Sequence, residues 1–496
     1  MKGYWQAALG GLFLSASFSY FSWETSVLAF LSFTLMLLGF AKRKNFLVGL
    51  VGGLFFFVPS LYWIYPTLRV YGKVPVVIAG LGVFALSLAL SVYFGVFSWL
   101  LRFYSGRALY FSPFLWASVE ILREKLFTGF PWGSLGYTAV DDLPFLQFAS
   151  IGGVRFMGFL MVLLAVLLIR KKTKAFAGLF LLLHFIGFIL IGPYRAGDYT
   201  VAIFQNSWDF RPPITQEKSR QVFDEYMRMA RKASRNGVDI MIFPETTVPF
   251  VYLSDPGWIK FFKERAKEWN AYLVFPSTES SGTKFYNATF IISPDGRVKT
   301  YRKIHLVPFG EYNPLPFIRR IIPRIAMEIG DYTPGREIRL GEFKGHKFAT
   351  PSCYEAIFPL LVRRMVREGA EFLVNTTNDA WYGKTPAPYQ HFMQARVRAV
   401  ENRRYLLRAA SSGISAIIDP YGRILKRTEI YKTEMIVGSF STSSKISLFT
   451  AFAPYIDWLY LTVTLISLII LFTRRLIWKG MKQKESSSSS GKDTKN

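Results

Sequence analysis

Residues 175–205 read AFAGLFLLLHFIGFILIGPYRAGDYTVAIFQ, and the character of the chain changes inside that stretch. Through Ile191 it is nearly uncharged and apolar over the roughly 20 residues that a helix needs to cross hydrocarbon. From Tyr199 the pattern becomes Thr200-Val201-Ala202-Ile203-Phe204-Gln205, a short β-branched run that reads as a buried strand. A boundary between a lipid-embedded part and a globular part therefore falls near residues 196–197.

Toward the amino terminus the apolar character continues. Further crossings are expected at about 6–23, 25–41, 46–64, 76–100, 108–122, 151–169 and 175–192, because only structures that pair every backbone group internally can span lipid. One more is expected at about 456–473, beyond the globular part. The expected organisation is a membrane domain of about seven helices over 1–196, a globular domain over 197–445, a membrane helix with its flank over 446–478, and a disordered basic and Ser-rich tail over 479–496. Met1-Lys2 supplies a thin positive region with no clear cleavage site after it, so the first segment is read as a retained anchor.

Charge orients these segments. With a cytoplasmic amino terminus, Lys42-Arg43-Lys44, Arg102 with Arg107, Arg170-Lys171-Lys172 with Lys174, and Arg474-Arg475 all fall on the cytoplasmic side, as the positive-inside rule requires. Both termini are then expected in the cytoplasm and 197–445 on the outer face. The formal net charge of +27 is thereby read as contact with anionic headgroups, and no basic arm interleaved with aromatics argues for nucleic acid. In the outer loop 123–150, Phe130-Pro131-Trp132-Gly133 and Gly136-Tyr137 fit an interfacial substrate surface or an aromatic belt at headgroup level. Glu120 and Arg123 share a helix face at the end of the fifth apolar segment, where they are placed either to pair or to contact substrate.

Within the globular part, strands at 200–205, 239–243, 272–275, 286–292, 298–302, 346–350 and 372–375 alternate with helices after Thr215, at 257–269, through Leu360 and Val366, and from Thr385. The Asp295-Gly296 step signals a hairpin. Several strands, 286–292 and 413–419 among them, are apolar on both faces. Two sheets packed face to face with helices outside would satisfy them, as one compatible arrangement of a mixed sheet covered by helices.

Three polar residues stand at ends of apolar strands: Glu245 after Phe243-Pro244, Lys303 after 298–302, and Cys353 after 346–350. Side chains converge at strand ends in α/β sheets, so the three define a candidate site. A thiol attacks a carbonyl as thiolate; Glu245 is placed to take its proton, while Lys303 and a backbone N–H near Tyr354 are placed to hold an oxyanion. Each has a plainer reading: the single cysteine as a small buried hydrophobe, Glu245 as a helix cap, Lys303 as an exposed strand residue, and Glu355 as its salt-bridge partner. His305, two residues from Lys303, leaves a Cys-His pair open. No His-Cys cluster has metal-ligand spacing, so neither metal nor cofactor is expected.

At these residues the sequence resembles the nitrilase superfamily, and within it the apolipoprotein N-acyltransferase family. The resemblance rests on Phe243-Pro244-Glu245, Tyr301-Arg302-Lys303-Ile304-His305-Leu306-Val307-Pro308-Phe309-Gly310-Glu311-Tyr312, Pro351-Ser352-Cys353-Tyr354-Glu355 and Asn375-Thr376-Thr377-Asn378-Asp379-Ala380-Trp381, in order across 198–445. The preceding and following membrane segments, and Phe130-Pro131-Trp132-Gly133 with Gln147, extend it over essentially the whole chain. It implies a multi-pass helical membrane domain joined to an αββα sandwich, in a bacterial inner membrane with the catalytic domain periplasmic. It also implies Glu245 as base, Lys303 as catalytic lysine and Cys353 as acyl-carrying nucleophile, with Glu311, Tyr354, Glu355 and Trp132 in support and Trp208 at a lid or lipid contact, in a region where the family varies. The implied reaction carries an acyl group from a phospholipid, such as phosphatidylethanolamine, through a Cys353 thioester to the amino-terminal cysteine of a diacylated apolipoprotein. The alternatives are a membrane-tethered amidase and a non-catalytic membrane scaffold.

Overall fold

A computed structural model describes residues 1–18, 22–208, 215–248, 251–314 and 331–490. Part of the loop expected over 206–213 lies outside them, as do residues 491–496 of the tail.

Among the described residues, Glu24–Arg43, Val76–Leu100, Ala149–Ile169, Thr173–Leu190 and Leu448–Trp478 are long and apolar enough to cross a membrane. A sixth crossing is available if Phe46–Ser60 and Ile64–Val70, bent by 48° at their junction, act together. The helices pack by close backbone approach: a side chain on Gly11 would strike the Gly52 carbonyl, and one on Gly49 the Phe94 carbonyl. Small residues substitute here for a hydrophobic driving force that lipid does not provide.

Three expectations are corrected. The expected crossing at 108–122 is a 3-10 turn, Gly106–Phe111, followed by a 14-residue helix, Ser112–Lys125, that buries both Glu120 and Arg123. The first helix, Lys2–Ser17, has 16 residues and falls short of a full span by length. The last helix runs from Leu448 to Ser490, so the tail expected to be disordered from 479 keeps a helical backbone through Ser490. A helix already nucleated by the preceding span extends at one hydrogen bond per residue, which residues 479–484 favour more than isolated composition suggests.

The globular part contains two mixed six-stranded sheets. The first comprises β1 (Tyr199–Gln205), β2 (Ile240–Ile242), β3 (Tyr272–Ser281), β4 (Lys284–Ile292), β5 (Val298–Arg302) and β12 (Glu434–Phe440), in the order β12-β1-β2-β3-β4-β5. The second comprises β6 (Gly341–Phe343), β7 (His346–Ala349), β8 (Phe372–Asn378), β9 (Leu406–Ser411), β10 (Ala416–Ile418) and β11 (Ile424–Arg427), in the order β11-β10-β9-β8-β7-β6. β3 runs past the expected end at Phe275, pairing with β4 through Ser281↔Lys284. The Asp-Gly hairpin forms as expected, with Gly296 at φ 85° and its N–H on the Ser293 carbonyl at 2.9 Å.

Val201, Ile203, Ile242 and Val274 of the first sheet pack against Phe348, Phe372, Val374 and Leu407 of the second. Outside the first sheet lie helices Gln216–Ser234 and Pro256–Trp269; outside the second lie Pro359–Arg367 and Ala387–Asn402. This is the αββα sandwich, and it accounts for the strands apolar on both faces.

Helix Ala387–Asn402 also docks the two parts of the chain. Gln390 accepts from the Trp132 indole at 2.7 Å and donates to the Ser60 carbonyl at 3.2 Å. Arg398 donates to the Tyr137 hydroxyl at 2.8 Å, and Glu401 accepts from the Val154 N–H at 2.9 Å, just past the break where Gly153 adopts φ 75°.

Candidate active site

Glu245 follows β2 through Phe243-Pro244, and Thr246 beyond it sits in the left-handed region at φ 53°. Lys303 follows β5, and Cys353 opens a 3-10 turn, Cys353–Ile357, after β7. The three strand ends meet. Lys303 Nζ donates to Glu245 Oε1 at 3.2 Å and to Glu311 Oε1 at 2.9 Å. Asn287 on β4 bridges the same two carboxylates at 2.7 and 2.6 Å. Glu245 and the Cys353 thiol are electrostatic neighbours, each acting on the other's ionisation. Lys303 and Glu245 are almost wholly buried, at 1% and 6% exposure, which rules out the reading of Lys303 as an exposed strand residue.

Burial opposes every charge here, so the protonation states follow from which pairings outweigh it. Burial and the Glu245 carboxylate push the Cys353 thiol up, Lys303 only partly offsetting them, and the resting sulfur is neutral. Burial also works to raise Glu245, but the Lys303 ammonium and Asn287 amide outweigh it and hold the carboxyl below its ordinary range. For Lys303, burial works against the charge and the carboxylates of Glu245 and Glu311 overcome it, keeping the ammonium well above its ordinary value. A neutral thiol thus faces an ionised carboxylate and an ammonium. That arrangement suits proton transfer during attack better than storage of a thiolate.

The supporting residues divide by role. Glu311 shares the Lys303 ammonium and is itself held by the Val307 N–H at 2.7 Å. Glu355 does not pair with Lys303, which sets aside its plainer reading. Its carboxylate instead accepts from Ile304 N, His305 N, Ser352 N and the Tyr301 hydroxyl at 2.7–3.0 Å, tying the lysine loop to the nucleophile turn. Tyr354 is buried beside Phe358 and His305. His305 is no partner of the thiol: its ring lies 3.8 Å from that of Phe358, and burial and Lys303 lower it to about 4, removing the Cys-His alternative.

Trp132 reaches the site from the membrane domain. It is 1% exposed and packs against Trp63, Tyr382 and the imidazole of His391 at 5.1–6.3 Å. Trp208 does not come to the site: its indole donates to Glu225 at 2.8 Å and packs with the core outside the first sheet. The expected Glu120–Arg123 pair forms at 3.9 Å. Glu120 also accepts from Leu135 N at 3.0 Å and Arg123 donates to Ser134 at 2.8 Å, so the pair clamps the loop that carries Trp132.

Sequence reasoning missed Asn287, Thr377, Asp379 and His391 as site residues. Thr377 contacts Cys353 Sγ at 3.2 Å and Asp379 at 3.0 Å, and His391 contacts both Asp379 and the Cys353 carbonyl. Asp379 lay inside a quoted motif and His391 among four histidines, but nothing in their spacing revealed that they meet under the sulfur. A cavity of about 610 Å³ lined by Tyr252, Asp255, Thr278, Phe285 and Tyr332 meets the site at Tyr332, whose N–H donates to the Glu311 carbonyl at 3.0 Å. None of its lining residues is one of the three, so the cavity does not mark the chemistry.

Residues 200–444 match the carbon-nitrogen hydrolase family, which defines the class of the sandwich. Residues 10–167 match the apolipoprotein N-acyltransferase N-terminal domain. An apolipoprotein N-acyltransferase of Geobacter metallireducens is 34% identical over 96% of this chain and 96% of its own length. One of Aquifex aeolicus is 35% identical over 85% of this chain and 96% of its own. Among solved structures, a nitrilase superfamily member from Saccharomyces cerevisiae is 19% identical and covers 50% of this chain and 92% of its own, with a TM-score of 0.38. The chain belongs to the apolipoprotein N-acyltransferase family, a family of acyltransferase enzymes with apolar membrane helices.

Proposed function

We propose that this protein transfers a fatty acyl group from a membrane phospholipid to the α-amino group of the amino-terminal diacylglyceryl-cysteine of lipoproteins, through a thioester on Cys353. The carrying observation is the convergence of a neutral thiol, an ionised carboxylate and an ammonium in one buried crevice docked onto a membrane domain.

Glu245 takes the thiol proton as Cys353 attacks the ester carbonyl of the donor, for which phosphatidylethanolamine is the natural choice. Lys303 and the Tyr354 backbone N–H hold the developing oxyanion. Collapse releases lysophospholipid with the proton from Glu245 and leaves the thioester. The acceptor amine then attacks it, Glu245 takes a proton from the nitrogen, and the thiol departs as the amide forms. Burial of Cys353 at 6% exposure favours this sequence, since water reaching the thioester would hydrolyse it.

The same reading assigns 1–196 and 446–478 to the bacterial inner membrane, both termini to the cytoplasm and 197–445 to the periplasmic face, on the strength of the basic clusters. The test is incubation of the purified protein with acyl-labelled phosphatidylethanolamine, acid trapping, and location of the label by peptide mass. Label on Cys353 that a diacylated lipopeptide then removes as an amide is the expected result. Undiminished transfer by Cys353→Ala rules the mechanism out, and hydrolysis of small amides without lipid transfer would favour an amidase.

A further inference from the structure

His391 sits on helix Ala387–Asn402 with no exposed surface. Its Nδ1 lies 2.9 Å from Asp379 Oδ1 and its Nε2 lies 3.1 Å from the backbone carbonyl of Cys353. The second contact fixes a proton. A carbonyl oxygen can only accept, so Nε2 must carry hydrogen whatever the state of Nδ1. Asp379 is held in turn by Arg408 at 2.9 Å and Thr377 at 3.0 Å, and Thr377 touches the Cys353 sulfur. Gly413 is required behind it, because any side chain there would strike the Asp379 carboxylate.

The carbonyl that His391 grips belongs to the peptide joining Cys353 to Tyr354. Cys353 has φ 45°, a left-handed conformation that a cysteine holds only when its surroundings impose it. In a trans peptide the N–H points opposite the carbonyl, so fixing the Cys353 oxygen aims the Tyr354 N–H. A donor on the oxygen also polarises the amide and strengthens that N–H as a donor.

We propose that His391, oriented by Asp379, is a positioning residue for acyl transfer: its Nε2–H aims and polarises the Cys353–Tyr354 peptide whose N–H stabilises the oxyanion. The inference rests on the reading of Cys353 as acyl-carrying nucleophile. It also gives the membrane domain a physical hold on the site. The Trp132 ring packs 5.8 Å from the imidazole, while Tyr71 and Thr67 donate to the Ala380 and Trp381 carbonyls, next to Asp379, at 2.8 and 2.9 Å.

The experiment compares two reactions of the same sulfur in the full-length protein in lipid nanodiscs. Thioester formation from labelled phosphatidylethanolamine builds an oxyanion, whereas alkylation by iodoacetamide does not. His391→Leu should slow thioester formation by roughly 10- to 100-fold, less than the 10²- to 10³-fold typical of deleting a direct oxyanion donor, at unchanged half-saturating phospholipid. Its alkylation should stay within about twofold, and His391→Gln, which keeps an N–H donor, should recover most of the loss. Should His391→Leu not fold, Asp379→Asn carries the test, with a smaller loss showing the same split. Parallel loss of both reactions, or loss of neither, overturns the proposal. Absence of label on wild-type Cys353 instead overturns the reading beneath it.

Discussion

Both halves of this molecule bury charge, and they use it differently. In the sandwich, Glu245, Glu311, Lys303 and Asn287 form a cluster whose Glu245 and Lys303 charges act on the Cys353 sulfur. In the membrane domain, Arg155 is gripped on both sides, by Glu124 and by Asp457 on the last helix, the latter at 2.7 Å. Glu120 and Arg123 bind each other and the Trp132 loop, Glu120 at the Leu135 N–H and Arg123 at the Ser134 hydroxyl. Charges in the membrane domain pair with one another and hold helices and a loop together, while the sandwich cluster sets a carboxylate and an ammonium beside the Cys353 thiol. Burial of charge therefore does not locate an active site; the presence of a nucleophile among the charges does.

Mutations can break or sharpen that contrast. The largest effect is expected for Glu245→Gln, which removes the base: thioester formation should fall by about 10²- to 10⁴-fold. The same change removes the negative charge that raises the thiol, so the pH at which iodoacetamide begins to label Cys353 should move down relative to wild type. An unmoved or upward-shifted labelling curve would show that Glu245 does not face the sulfur electrostatically.

Lys303→Met should reduce thioester formation by about 10²- to 10³-fold, and it also strands Glu245 and Glu311 in a buried site, destabilising the sandwich by about 3–5 kcal/mol. The pH dependence of stability follows from Glu245. Its folded-state value is depressed, so its contribution is present above the ordinary carboxylate range and lost as pH falls through the lowered value. Lys303→Met should reverse that dependence, because burial then raises the stranded carboxylates and protonation relieves them, measurable as an unfolding midpoint that rises as pH falls.

Arg155→Leu should destabilise the membrane domain by a comparable amount, about 3–5 kcal/mol, because two carboxylates lose their partner. Turnover per folded molecule should stay within a few-fold of wild type, as read by activity normalised to the folded fraction in detergent. Trp208→Phe, at an indole that faces Glu225 and not the cluster, should change turnover by less than about threefold and cost about 1 kcal/mol for the indole hydrogen bond.

The large divisions of the fold were legible because hydrophobic patterning is local. Apolar runs of membrane length, a switch to short strands at Tyr199 and the Asp295-Gly296 turn each read from neighbouring residues. The reading failed where length and composition were marginal. Residues 108–122 looked apolar enough to span, but Glu120 and Arg123 make that segment a short buried helix that clamps a loop. At the site, Glu245, Lys303 and Cys353 were legible as polar residues at strand ends. The role of Glu355 was not legible, because its spacing from Cys353 says nothing about whether it faces an ammonium, as its plainer reading had it, or the four donors it accepts from.

Sequence alone determined that the chain is apolar helices joined to a stranded domain, that one thiol is present, and that a carboxylate and an amine stand, like it, at the ends of apolar strands. Those features depend on local spacing, which survives in a one-dimensional string. Only the tertiary structure decided that Asn287 bridges two carboxylates, that Glu311 rather than Glu355 shares the lysine, and that His391 grips the nucleophile's carbonyl. Each of those contacts joins residues brought together by the packing of two sheets and a docking helix, and packing geometry is set by the whole fold.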